Sequence, residues 1–283
     1  MKHIYVIGVG LIGGSFAKDL RQIDSEVVIH GISRKQTTLD EALSLGLIDK
    51  KSTLEDIKAA DLVFLSIPVD ASEKLLPTVL DKVSDKGLVI DAGSTKASIC
   101  KVVANHPKRK NFLAAHPIAG TEYSGPSAAI SGLFQNKTNI ICEEEKTDAA
   151  LKEKALQIFN ALGMKIRYMN PESHDKHIAY VSHLSHISSF MLGKTVMEKE
   201  KNERDIFDMA GSGFASTVRL AKSSPEMWTP IFKQNKANVI ETLEEYIANL
   251  THFRNMMAHD NYEAIFDEMK NINHIKDILN GIN

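Results

Sequence analysis

The opening of the chain constrains it most. The apolar run His3-Ile4-Tyr5-Val6-Ile7 breaks into Gly8-Val9-Gly10-Leu11-Ile12-Gly13-Gly14-Ser15, and Phe16, Ala17 and Leu20 then recur at helical spacing. A buried strand, a glycine-punctuated turn and a helix form the context in which G-x-G-x-x-G marks a dinucleotide site. Gly8 suits the tight turn, Gly10 lets a pyrophosphate approach the backbone, and Gly13 lets helix and strand pack closely. The free N–H groups of Leu11 and Ile12, at the positive end of the helix dipole, then face the phosphates. The expectation is an α/β fold whose N-terminal domain is a Rossmann-type dinucleotide-binding domain.

The following strands extend this reading. Residues 26–32 form a second apolar run, and Ser33, Arg34 and Lys35 follow it. They stand about 20 residues past the last glycine, where NAD-specific units place a carboxylate for the ribose 2′-hydroxyl. A hydroxyl and a guanidinium suit a 2′-phosphate instead, so the cofactor reads as NADP ahead of NAD. Residues 61–67 make a third strand whose carboxyl end brings Pro68 and Val69 beside the cofactor, because open parallel sheets bind ligands outside those ends. A helix over 73–83 leads to a fourth strand, 87–93, ending in Ser94-Thr95-Lys96. A fifth strand, 112–115, delivers His116-Pro117-Ile118-Ala119-Gly120-Thr121-Glu122. A histidine at a strand's carboxyl end, beside proline and glycine, is placed for acid–base work. Residues 124–134 read as a loop or short helix over the site. A strand at 139–142, a helix over 148–162 and a last strand at 165–169 complete this domain.

From Asn170-Pro171 onward the periodicity is helical, which divides the chain into 1–169 and an all-helical 170–283. The first helix, 173–199, is apolar at Ile178, Val181, Leu184, Ile187 and Met191 and carries His174, His177, His183 and His186. Ser182, His183 and His186 share one face of it. No H-E-x-x-H pattern or carboxylate partner accompanies these histidines, so no metal site is expected. Gly211-Ser212-Gly213 reads as a helix-breaking turn that aims Arg219. The single tryptophan, Trp228, follows. One long amphipathic helix over 231–257 and one more from Tyr262 are apolar enough to need a partner subunit.

A net charge of -2 over 283 residues gives no reason to expect nucleic acid or an anionic membrane as partner. Cys100 and Cys142 lack a C-x-x-C pairing, which fits a reducing, cytoplasmic setting. No apolar run reaches transmembrane length, and a strand that begins at His3 leaves no room for a signal peptide.

Together, Gly8-x-Gly10-x-x-Gly13-Gly14-Ser15, Asp91-x-Gly93-Ser94-x-Lys96, His116 to Glu122, Ser182-His183-Leu184-x-His186 and Gly211-x-Gly213-Phe214 with Arg219 resemble the prephenate dehydrogenase family. Arogenate dehydrogenases share these motifs. The resemblance implies a homodimer joined through the C-terminal helical domain, which also binds the small-molecule substrate. It implies oxidative decarboxylation of prephenate to 4-hydroxyphenylpyruvate, with NADP or NAD. It also implies roles: His116 accepts the hydrogen bond of the ring 4-hydroxyl, Ser94 holds that hydroxyl from the cofactor side, and Lys96 shapes the site near the nicotinamide. Arg219 fixes the ring carboxylate, His186 and Ser182 meet the substrate from the helical side, and Thr121, Glu122 and Trp228 stand at the rim. The chain departs from the family at Ala215-Ser216, where an Arg-Asp pair is common, and at Ser185, where proline is common. Two rival readings are a β-hydroxyacid dehydrogenase and a dinucleotide-sensing regulator without turnover. The first usually relies on a helical-domain lysine, whereas the candidates here are His116, His186 and Arg219. The second needs no strand-end histidine opposite an arginine.

Overall fold

The computed structural model describes residues 1–201 and 205–280. An eight-stranded sheet lies within residues 1–236, built from β1 (His3–Ile7), β2 (Val28–Ile32), β3 (Lys50–Lys51), β4 (Leu62–Leu65), β5 (Leu88–Asp91), β6 (Phe112–Pro117), β7 (Thr138–Cys142) and β8 (Lys165–Tyr168). The order across the sheet is β3-β2-β1-β4-β5-β6-β7-β8. Helices α1 (Leu11–Ile23), α2 (Gln36–Ser44), α3 (Val69–Lys82), α4 (Ala97–Val102) and α5 (Ala149–Ala161) connect the strands.

The pleat sorts side chains between two cores. Ile4, Val6, Ile29, Phe64 and Ile90 enter one, with Phe16 of α1 stacked on Phe64 at a centroid distance of 3.9 Å. Tyr5, Ile7, Val63, Leu65 and Val89 enter the other, under Leu76, Val79 and Leu80 of α3. Both faces are therefore covered, which is why the strands read as unbroken apolar runs rather than alternating ones. All neighbours are parallel except β6 and β7. No α-helix separates those two strands. An antiparallel return needs no crossover, so the Ile118 N–H bonds directly to the Thr138 carbonyl at 2.8 Å.

Several local expectations change. The strand at 112–115 extends to Pro117, so His116 lies inside β6 and not beyond it. The helix expected at 73–83 starts at Val69, straight after Pro68. The two-residue β3 carried no apolar signal, being two exposed lysines.

The helical part contains α6 (Pro171–Ile178), α7 (Leu184–Glu200), α8 (Ser212–Thr217), α9 (Pro225–Gln234), α10 (Lys236–Ala258), α11 (Tyr262–Ile272) and α12 (Ile275–Asn280). Asn170 caps α6 by accepting the Glu172 and Ser173 N–H groups, with Pro171 in the first turn. The helix expected over 173–199 is interrupted by a π turn at Ala179–His183. The expected glycine turn is instead the start of α8: Gly211 is its N-cap and Gly213 sits in its first turn, where glycine costs little. A single helix over 231–257 is ruled out by Asn235, which ends α9 and turns its side chain inward to the Asp175 carbonyl at 2.6 Å. The last helix is two, α11 and α12.

By density of contacts the chain divides into residues 1–236 and 237–283. The second unit exposes Ile247, Leu250, Phe266, Ile272 and Ile278 among its described residues. Among the described residues no helix is long and apolar enough to cross a membrane.

Candidate active site

A cavity of about 680 Å³ opens at the carboxyl ends of β1, β4, β5 and β6, entirely within residues 1–236. Its nucleotide end is the glycine turn. Gly8 has φ +95°, and a Cβ there would lie 2.5 Å from the Ser66 carbonyl oxygen. Gly13 lies beneath the turn, where a Cβ would fall 2.2 Å from the Gly8 carbonyl oxygen, so close packing of helix and strand requires it. Gly10 differs. A Cβ there would meet nothing nearer than the Gly125 nitrogen at 3.9 Å, so protein packing does not demand this glycine. Its bareness keeps open the space in front of α1, whose N-cap it is and which no side chain caps. Leu11 and Ile12 line the same space, and their N–H groups are uncommitted by helix geometry. An open, side-chain-free helix N-terminus fits a pyrophosphate.

Ser33 and Thr38 line the far end of the cavity, and the Ser33 hydroxyl accepts the Lys35 N–H at 3.2 Å. Arg34 is exposed and does not line it. Pro68, Val69 and Ser94 line the wall nearer His116. Lys96 does not. Its side chain is fully buried, paired with the Asp91 carboxylate and donating to the Ala115 carbonyl at 2.7 Å. The expected contact of Lys96 with cofactor is thereby replaced by a place under the floor, holding the ends of β5 and β6 together.

His116 lines the cavity yet is only 8% exposed. Its Nδ1 lies 2.8 Å from Nε2 of His174, whose own Nδ1 lies 2.8 Å from Oδ1 of Asp175. Burial holds the His116 imidazole well below the ordinary histidine range, and the neighbouring His174, Lys96 and His183 push the same way. At neutral pH it is an uncharged base. The sequence showed His174 only as one of several histidines on a helix and did not single out Asp175, because an adjacent His-Asp pair acquires meaning only when His116, 58 residues earlier, is brought against it.

Ser182, His186, Arg219 and Trp228 form the opposite wall, and Thr121 joins from the loop after β6. The His186 Nδ1–H donates to the Ser182 carbonyl at 2.9 Å, and the ring stacks on Trp228 at 3.5 Å between centroids. His183, expected on the same face, is fully buried and meets Trp228 edge-on. The π turn sends it towards Asn235, whose amide donates to it at 3.2 Å. Burial lowers the pKa of both histidines, that of His183 to about 4. Arg219 is half exposed, and its Nη1 donates to Glu122 at 3.0 Å. Glu122 does not itself line the cavity. His116 and Arg219 thus line one cavity.

Comparison with known proteins follows the same outline. A family model described as prephenate dehydrogenase, nucleotide-binding domain, matches residues 16–168, and one described as prephenate dehydrogenase, dimerization domain, matches 170–271. The chain is 29% identical to cyclohexadienyl dehydrogenase of Zymomonas mobilis, over 95% of this chain and 93% of that one. It is 29% identical to prephenate dehydrogenase of Bacillus subtilis, over 98% of this chain and 76% of that one. Among solved structures, prephenate dehydrogenase of Aquifex aeolicus in complex with hydroxyphenyl propionate and NAD+ superposes with a TM-score of 0.90 and 31% identity, covering 99% of this chain and 98% of that one.

Proposed function

Because the chain belongs to the prephenate dehydrogenase family, we propose that its cavity holds prephenate beside a nicotinamide dinucleotide and that the reaction is oxidative decarboxylation to 4-hydroxyphenylpyruvate. One observation carries this reading: a neutral, buried base and a guanidinium line the same cavity as the open glycine turn.

The bound dinucleotide supplies the acceptor for the hydride. The turn from Gly8 to Ile12 would hold its pyrophosphate, and Pro68, Val69 and Ser94 would flank its reactive end. His116 takes the proton of the ring 4-hydroxyl as hydride leaves C4 and a C4 carbonyl forms. The bond from C1 to its carboxylate then breaks, CO2 departs, and the electron pair enters the ring. The ring oxygen recovers the proton from His116, which ends neutral as it began. Aromatisation drives the second step, so the protein's task is to position the ring and take the proton. Ser94 holds the hydroxyl. Arg219 grips the ring carboxylate with its planar fork, a geometry lysine lacks. His186 and Ser182 meet the pyruvyl side, with Trp228 stacked on His186 and Thr121 and Glu122 at the edge.

Among the described residues lining the cavity there is no Asp or Glu, whereas Lys137 and Arg219 are present. That supports the dianionic keto acid over arogenate, because Glu122, the carboxylate at the edge, is already paired with Arg219. The same absence beside Ser33 supports NADP over NAD. In this reading residues 1–169 carry the dinucleotide, and 170–283 bind substrate and pair two copies through exposed apolar helices, in the cytoplasm. The test is the absorbance of reduced nicotinamide with prephenate or arogenate and with NADP or NAD. Prephenate with NADP is expected to give the highest kcat/KM. A preference for arogenate overturns the substrate assignment, and no reduction with any pairing overturns the reading as a whole.

A further inference from the structure

Behind His116, away from the cavity, runs a buried hydrogen-bonded chain. His116, His174 and Asp175 are 8%, 1% and 4% exposed. Asp175 fixes the direction of that chain. Its Oδ1 accepts the Lys96 N–H at 2.7 Å as well as the His174 ring nitrogen at 2.8 Å, and its Oδ2 accepts the Ala97 N–H at 2.9 Å. A carboxylate that takes two backbone N–H groups has only acceptor sites to offer a third partner, so His174 Nδ1 must carry the hydrogen it donates. The neutral ring of His174 then has a bare Nε2, which can only accept. Its partner 2.8 Å away, His116 Nδ1, must therefore carry a hydrogen. A neutral His116 has one hydrogen to place, so its Nε2 is left bare.

We infer that His174 and Asp175 are positioning residues that fix the tautomer and ring orientation of His116, leaving its Nε2 as the proton acceptor. The inference rests on the proposed role of His116 and adds the device that makes it a base at a stated atom. Two neighbours lock the device. Lys96 holds Asp175 through its backbone N–H and holds β6 at Ala115 through its ammonium group, so one residue fixes both ends. Asn235 donates to the Asp175 carbonyl and ties the middle of α6 to the end of α9. Without His174 the His116 ring could rotate or place its hydrogen on Nε2, and it could not then take a proton from the substrate hydroxyl.

The experiment begins on the whole, unliganded protein labelled with 15N-histidine, the His116 signals being assigned by their loss in His116→Asn. A bare-type Nε2 and a hydrogen-bearing Nδ1 are expected. The reverse pattern overturns the inference, and it does so whether or not prephenate is the substrate. Turnover then separates positioning from folding. His174→Phe keeps a ring but no acceptor, and kcat should fall about 10²-fold while KM and dinucleotide affinity change little. His174→Gln can accept from His116 with its oxygen and donate to Asp175 with its nitrogen, and should recover most of that loss. Wild-type kcat in His174→Phe, or equal loss in both variants with both folded, overturns the inference. Should His174→Phe not fold, the tautomer in the wild-type protein decides.

Discussion

At the scale of single residues, the two ends of the substrate call for opposite kinetic signatures. His116 acts on the reacting atoms, so His116→Asn should lower kcat by about 10²–10⁴-fold. Dinucleotide affinity, measured by fluorescence titration, should stay near wild type; an undiminished kcat would remove His116 from the mechanism. Arg219 grips a group present before and after hydride loss. Arg219→Ala should therefore raise the KM for prephenate by about 10–10²-fold, the worth of a charge-assisted hydrogen bond, with a smaller change in kcat. Equal losses for substrate and dinucleotide would mark Arg219 as structural. The sequence made both residues legible because each stands beside a recognisable signal, one at the end of an apolar run before Pro117 and one after the glycines 211 and 213. Lys96 was legible as a motif residue but not as a buried one. Its pairing with Asp91, five residues back, depends on how β5 ends and not on any spacing. His174 was visible only as one of several histidines on a helix, since its meaning lies in a contact across the fold.

At the scale of elements, the glycine turn was readable because each glycine answers to backbone geometry, which sequence encodes directly. The structure divides their duties, and the division can be measured. Gly13→Val places a branched side chain where even a Cβ would sit 2.2 Å from a backbone oxygen, and should yield little folded protein. Gly10→Val enters open space and should leave the melting temperature within a few degrees, while weakening dinucleotide binding at least about tenfold. A Gly10→Val protein that binds dinucleotide normally would contradict the assignment of that space. The helical region was less legible. Periodicity located its apolar stripes, but not the π turn at Ala179–His183 or the break at Asn235, because neither contains a glycine or proline. Both are held by tertiary hydrogen bonds: Asn235 reaches Asp175 and His183, and the widened turn lets Ser182 and His186 face the cavity while His183 turns inward.

For the whole molecule, buried neutral histidines link stability to pH. His30, His116, His174, His183 and His186 all have their pKa lowered in the folded chain, chiefly by burial. The unfolded chain binds protons to these rings near pH 6.5 while the folded chain does not, so stability is full above that pH and falls as pH drops below it. His183 alone, lowered from 6.5 to about 4, accounts for on the order of 3 kcal/mol by the time pH reaches its folded value. Urea midpoints should decline steadily between about pH 6.5 and 4; a flat profile would show that these rings are not buried in solution. The parallel direction of most strands could be anticipated from unbroken apolar runs separated by crossover helices. The reversal of β7 could not, because a strand's direction leaves no mark on its own residues.

The margins of the sheet carry one more consequence. One ends in β3, two residues long and both lysine, and the other in β8, where Lys165 and Arg167 alternate with their neighbours. Such short, cationic borders make poor templates for adding a strand from another chain. Crowded copies are thereby steered away from ribbon-like aggregation, and whatever self-recognition this protein has is left to side chains on helices.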